Sequence, residues 1–220
     1  MANSFFIKTI IFDIGGVIVN SFGKELIDYT SGKLGIEQSR IRELMNRYEP
    51  SLQKGLISPT EFWKKIINEN GSNVPSDNVL ESLWIEPYVE NVHIDEHMIN
   101  LVKTLKNNYI VGCISNSIVP HTLYNKEREL YSLFNPCLLS DEVHIRKPDK
   151  EIFELYLKMT KCEPHEAIFI DDEAPLLVNA QKMGMNTVVF QNIDQLKKEL
   201  AIFKINIEES QNSNIAQHLI

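Results

Sequence analysis

The chain has no basic stripe. Its 22 Lys and Arg are scattered and outnumbered by 30 Asp and Glu, which gives a formal charge of −8 and a pI near 5.3. A surface of that sign does not track a phosphate backbone, so nucleic acid is excluded as an expected partner. Long apolar runs are also missing: Lys8, Asp13 and the glycines interrupt the only apolar stretch near the start. Neither a signal peptide nor a membrane span is expected. Cysteine is scarce and odd in number, with Cys113, Cys137 and Cys162 spread along the chain. Two lie in strand-like or strand-adjacent surroundings, which suits reduced, packed thiols rather than a disulfide framework or a zinc site. The expected location is therefore the cytoplasm.

What is present is enough apolar sequence for a full core: 43% hydrophobic residues over 220 positions allow one large domain or a domain with an insertion. Continuous apolar runs at 7–12, 109–114, 167–170 and 187–190 have the pattern of strands buried on both faces, with 136–139 a weaker fifth. Helical periodicity separates them, carried by Ile99, Val102 and Leu105, then Ile152, Phe153, Tyr156 and Leu157, then Leu176, Leu177 and Ala180 before Gly184. Such alternation predicts a doubly wound, Rossmann-like α/β fold with a parallel sheet.

Between Ser21 and about Asp95 the strand pattern stops. Ile41, Leu44, Met45 and Tyr48 share a helical face, Ser58-Pro59-Thr60-Glu61 has the form of a capping box with proline at the first helical position, and a further helix is expected from Ser76 to Trp84. The expected organisation is a core of residues 1–20 and 96–205, an inserted all-helical cap of 21–95, and a polar tail of 206–220. Beginning directly after the first strand end, the insertion is placed to close over it. Trp63, Trp84, Tyr48 and Phe62 are expected to pack between helices. Lys24, Glu25 and His121 are within reach of a site, without a ranking among them.

Open α/β sheets bind ligands beyond the carboxyl ends of their strands. Asp13 stands there in Phe12-Asp13-Ile14-Gly15-Gly16-Val17, where glycine lets a ligand approach the backbone, and is a candidate nucleophile or metal ligand. Ser115 and Asn116 close the second run, although a serine there is commonly only a turn former. Lys147 precedes Pro148 and Asp149, a setting in which lysines are mostly solvated. The third run ends in Asp171-Asp172-Glu173, either an acidic helix start or a set of oxygen ligands whose repulsion a divalent cation relieves.

In this order the segments resemble the haloacid dehalogenase-like (HAD) hydrolase superfamily, over residues 7–190. The strings Phe12 to Val17 and Gly55 to Trp63 are similar to the branch of sugar-1-phosphatases and the phosphatase domain of epoxide hydrolases. The resemblance implies that Asp13 attacks phosphorus and forms an aspartyl-phosphate. It implies Mg²⁺ held by Asp13, the Gly15 carbonyl and Asp171 with help from Asp172, phosphoryl oxygens bound by Ser115 and Lys147, and Asn116 as a further substrate-binding residue. The chain departs from the family at Gly15, where most of its phosphatases carry a second aspartate that protonates the leaving oxygen. General acid–base help is worth roughly 10²–10⁴ in rate.

Three functions are compatible with that gap. The first is a Mg²⁺-dependent phosphatase of a small phosphorylated metabolite that has a good leaving group or takes its acid from the cap. The second is a HAD-fold module, weakly active or inactive, that binds a phospho-ligand or partner. The third is a 2-haloacid dehalogenase, against which the acidic pair argues. Either a monomer or a homodimer is expected.

Overall fold

The computed structural model describes residues 6–207. Its centre is a five-stranded, all-parallel sheet of order β3-β2-β1-β4-β5, formed by β1 (Thr9–Phe12), β2 (Ile110–Ser115), β3 (Cys137–Leu139), β4 (Ala167–Asp171) and β5 (Asn186–Val189). The continuous apolar runs are explained by burial on both faces. Ile10, Phe12, Val111, Cys113, Ile168 and Ile170 pack on one side, and Ile11, Ile114, Leu138 and Phe169 on the other. The first face is covered by α5 (Glu96–Leu105) and α10 (Ile193–Ile202), through Met98, Val102, Leu105, Leu196 and Leu200. The second is covered by α8 (Lys150–Thr160) and α9 (Ala174–Lys182), through Ile152, Phe153, Tyr156, Leu177 and Ala180. This is the doubly wound arrangement, including the weaker fifth strand.

Four helices are inserted between β1 and α5: α1 (Gly23–Leu34), α2 (Gln38–Gln53), α3 (Pro59–Glu69) and α4 (Asp77–Asn91). They build their own apolar cluster from Leu26, Ile41, Leu44, Phe62, Trp63, Ile66, Leu80, Leu83 and Trp84, with Tyr48 packed at its edge. The capping box forms, since Ser58 Oγ accepts from Glu61 N at 3.1 Å and Ser58 N donates to Glu61 Oε2 at 2.7 Å. α4 runs seven residues beyond the expected end at Trp84, straight through Pro87. A proline there removes one intrahelical hydrogen bond, and burial of Trp84, Pro87 and Tyr88 offsets that loss.

The chain leaves the sheet for these helices and returns at one place. Val19 bridges Ile94, Asn20 N donates to His93 O at 3.2 Å, and Asp95 N donates to Ile18 O at 2.9 Å. The helical layer also touches the sheet layer directly. Lys54, just after α2, forms a 2.7 Å ion pair with Asp149, which stands at the N-cap position of α8 and makes no side-chain capping bond. The three cysteines are free thiols, Cys113 and Cys137 being neighbours on β2 and β3. No helix among the described residues is long and apolar enough to cross a membrane. The expected polar tail lies, from residue 208 on, outside the described residues.

Candidate active site

Register places the site. Phe12 pairs with Cys113 and with Ile170, so Asp13 stands level with Asp171 on β4, and Ser115 lies one step further out on β2. All three are on the central strands, at the point where the sheet order reverses between β1 and β4. They line one cavity of about 300 Å³ together with residues of the helical layer, except for Asp171, which is buried beneath it.

Lys147 organises the floor. It is 0% exposed, and its Nζ lies 2.8 Å from Asp13 Oδ1 and 2.7 Å from Asp171 Oδ2. A buried ammonium is tolerated only when paired, and here two carboxylates pair it. Burial opposes the lysine's charge, but Asp13 and Asp171 hold its pKa above the ordinary value. Asn116 fixes the lysine from behind: its Nδ2 donates to Lys147 O at 3.0 Å and its Oδ1 accepts from Lys147 N at 2.8 Å. Both polar atoms of a residue expected to bind substrate are thus engaged with the Lys147 backbone.

Asp13 receives a second hydrogen bond on the same oxygen, from Ile14 N at 2.6 Å. Its Oδ2 has no hydrogen-bond partner among the described residues, which leaves one carboxylate oxygen for chemistry. Burial raises the Asp13 pKa to about 7 against the pull of Lys147, and the charge of Asp171 adds to the rise. Asp171 Oδ1 accepts from Glu173 N at 2.8 Å. Asp172 accepts from Ser21 Oγ at 3.3 Å, and its pKa is raised by burial and then by Asp171. Asp13, Asp171 and Asp172 each bring one carboxylate oxygen to within 4.8 Å of the others. Three carboxylates facing one ammonium leave an excess of negative charge, and oxygen donors of this type suit a hard divalent cation.

The two glycines after Asp13 do different things. Gly16 has φ +73°, and a Cβ on it would fall 2.1 Å from Asp172 Oδ2, so the turn and the close approach both require glycine. Gly15 has an ordinary backbone, and nothing lies within 4 Å of the point a Cβ would occupy. The position at which the resemblance implies a second aspartate is therefore open space.

His121 lines the cavity, whereas Lys24 and Glu25 do not. The imidazole stacks on Tyr88 at 3.9 Å between ring centres, and burial lowers its pKa to about 3 in spite of its contact with the Trp84 carbonyl. It is neutral and serves as packing. Sequence reasoning missed Glu49, Gln53, Asn125 and Arg146, which also line the cavity. Arg146 had a signal in its place beside Lys147. Glu49 and Gln53 had only their spacing of one helical turn.

The family model of haloacid dehalogenase-like hydrolases matches residues 10–190. The chain belongs to this family. D-ribitol-5-phosphate phosphatase of Bacteroides thetaiotaomicron is 24% identical over 208 residues, covering 89% of this chain and 98% of its own. Bifunctional epoxide hydrolase 2 of Sus scrofa is 27% identical over 146 residues, which are 64% of this chain and 26% of that protein. A HAD family enzyme of Bacteroides thetaiotaomicron, solved as a magnesium complex, superposes with a TM-score of 0.72 at 27% identity, over 88% of this chain and 99% of that one. A variant of that enzyme has been solved with magnesium and inorganic phosphate. The HAD fold thus accounts for the parallel sheet and its strand order.

Proposed function

We propose that the protein is a Mg²⁺-dependent phosphatase that hydrolyses a small phosphorylated metabolite in two steps through an aspartyl-phosphate on Asp13. The observation that carries this reading is the pairing of a buried lysine with two carboxylates, one of which keeps an oxygen free of hydrogen bonds. In the first step Asp13 Oδ2 attacks phosphorus while Oδ1 stays bonded to Lys147 and Ile14. Lys147 and Ser115 bind phosphoryl oxygens, and Asn116 acts through the lysine it positions. Phosphoryl transfer is catalysed mainly by positioning and by cations placed against the equatorial oxygens, which is the chemistry this floor offers.

The metal would be held by Asp13, Asp171 and Asp172, whose oxygens converge, and by the Gly15 carbonyl. When bound, the cation neutralises charge on the transferring phosphoryl group. Halide displacement from carbon needs no such acid cluster, so the triad favours phosphatase over dehalogenase. The names of the ribitol-phosphate phosphatase and the magnesium-bound relative support the same reading. A cavity of about 300 Å³ suits a substrate of sugar-phosphate size. Gly15 offers no proton, so the substrate either has a good leaving group or receives its proton from the helical layer.

The test is a panel of phosphomonoesters, including a polyol phosphate and an aryl phosphate, assayed with Mg²⁺, after exhaustive chelation and after Mg²⁺ is restored. Activity is expected to vanish and return. Asp13→Asn is expected to keep its circular dichroism spectrum and lose turnover by several orders of magnitude, because an amide does not attack phosphorus. Turnover undiminished by chelation overturns the mechanism.

A further inference from the structure

Helix α2 presents Glu49 and Gln53 to the cavity floored by Asp13 and Lys147. The two are linked, Gln53 Nε2 donating to Glu49 Oε1 at 3.0 Å. Three polar atoms of residues around the same cavity are buried without a hydrogen-bond partner among the described residues: Gln53 Oε1, Asn125 Oδ1 and Arg146 Nε. Leaving such an atom unpaired costs about 1–3 kcal/mol, a cost that a bound ligand removes. The roof and side of the cavity are thus built to receive polar groups from something that lies over the Asp13 floor.

Carboxyl groups lining this cavity are Asp13, Glu49, Asp172 and Glu173. Asp13 is the nucleophile and Asp172 belongs to the acid triad. Glu173 follows Asp172 on the strand-end side of the cavity, beside the acid triad and away from the helical layer. Glu49 is the single carboxyl that the helical layer contributes to the lining, apart from the acids at the strand ends. Burial raises its pKa above the ordinary carboxylate value, the charge of Arg146 acts in the opposite direction, and the charge of Glu173 adds to the rise. The imidazole and phenols of the lining are poor donors. His121 is neutral, and burial raises the Tyr88 and Tyr131 hydroxyls above their ordinary values.

We propose that Glu49, presented by α2, donates to the leaving oxygen the proton that Gly15 cannot supply. This rests on the phosphatase reading. As the bond from Asp13 Oδ2 to phosphorus forms, the phosphorus–oxygen bond to the leaving group breaks. Its electron pair stays on the departing oxygen, which takes the proton from the Glu49 carboxyl and leaves as an alcohol. In the second step water attacks the phosphorus of the aspartyl-phosphate and gives a proton to the Glu49 carboxylate, while the bond between phosphorus and Asp13 Oδ2 breaks and its electron pair returns to the Asp13 carboxylate. Inorganic phosphate is released, and Asp13 and Glu49 return to their starting states. Gln53 is a positioning residue that orients Glu49 by its amide.

The experiment measures Mg²⁺-dependent phosphorylation by single-turnover kinetics for wild type, Glu49→Gln and Glu49→Asp, with dinitrophenyl phosphate, phenyl phosphate and a polyol phosphate. Glu49→Gln is expected to slow the polyol ester by roughly 10²–10⁴-fold, leave the dinitrophenyl ester near the wild-type rate, and so steepen the dependence on leaving-group pKa. Glu49→Asp is expected to recover part of the loss on the polyol ester. The activated ester also serves as the check on folding, since its leaving group needs no proton. A Glu49→Gln protein that loses the same factor on every ester, or none on the polyol ester, overturns the role of Glu49 while the phosphatase reading stands. A wild-type protein inert toward every ester with Mg²⁺ overturns both.

Discussion

Asn116 and Lys147 are joined by two reciprocal hydrogen bonds, side chain to backbone in each direction, at 3.0 and 2.8 Å. The amide at the end of β2 therefore sets the position of a loop 31 residues away, and with it the ammonium that pairs Asp13.

The first prediction concerns that clamp. Asn116→Ala leaves a Lys147 N–H and C=O without these partners, at about 1–3 kcal/mol for a buried group. Chemical denaturation is expected to show a loss of that size. Mispositioned Lys147 is expected to raise KM for phosphomonoesters more than it lowers kcat. An unchanged KM together with unchanged stability would contradict the clamp.

Lys147 itself supports the second prediction. Removing one member of a buried ionic group leaves uncompensated charge, and here Lys147→Ala strands Asp13 and Asp171 together. Destabilisation of about 3–5 kcal/mol is expected. Mg²⁺ is expected to return part of it, because it supplies positive charge to the same acids and binds only the folded chain. Thermal melts with and without Mg²⁺ read both effects. A variant as stable as wild type in metal-free buffer is the contrary result.

The third prediction separates the two glycines. Gly15→Asp meets open space and an ordinary backbone, so the variant is expected to fold, and in the Glu49→Gln background to restore turnover of esters with poor leaving groups. Gly16→Ala meets Asp172 and a left-handed backbone at once, and is expected to lower stability and Mg²⁺ affinity together. Melting curves and Mg²⁺ titrations distinguish the pair. Equal effects of the two substitutions would be inconsistent with this geometry.

His121 gives the fourth prediction, a pH dependence. Its pKa is about 3 in the fold against 6.5 for the free side chain, so the unfolded chain binds the extra proton between these values. Stability is therefore complete above about pH 6.5 and declines as pH falls towards 3, by about 1.4 kcal/mol for each unit. Urea midpoints near pH 7 and near pH 5 measure the slope. His121→Phe, which keeps an aromatic ring beside Tyr88, is expected to remove this contribution, and an identical slope in that variant would assign the dependence to other groups.

Much of this arrangement is legible in the sequence, for a physical reason. A strand buried on both faces must be apolar throughout, so its end is visible as the first polar residue, and Asp13, Ser115 and Asp171 all announce themselves in that way. Lys147 is legible only by its order among the other segments. By composition it looks like a solvated surface charge, and its complete burial depends on two acids brought in from other strands. Glu49 and Gln53 were not legible as a pair. A polar residue on an amphipathic helix looks the same whether it faces water or a cavity, and only the packing of α2 over the strand ends decides between them. The extension of α4 past Trp84 and through Pro87 was not legible either, since the burial that carries it is a tertiary effect.

The paired crossing at Val19 and Ile94 has a consequence for how such a protein can change. Because the chain departs from and rejoins the sheet through adjacent, hydrogen-bonded segments, the path from β1 to α5 needs only a short connection to be complete. Closing a short gap costs little entropy whatever the length of the excursion it replaces, since that cost grows only with the logarithm of loop length. The four helices can therefore be shortened, lengthened or exchanged without rerouting the sheet. Asp13 and Lys147 are inherited with one part of the sequence, while Glu49 and Gln53 are free to vary with the other. Selectivity can drift in this architecture while the phosphoryl chemistry stays where it is.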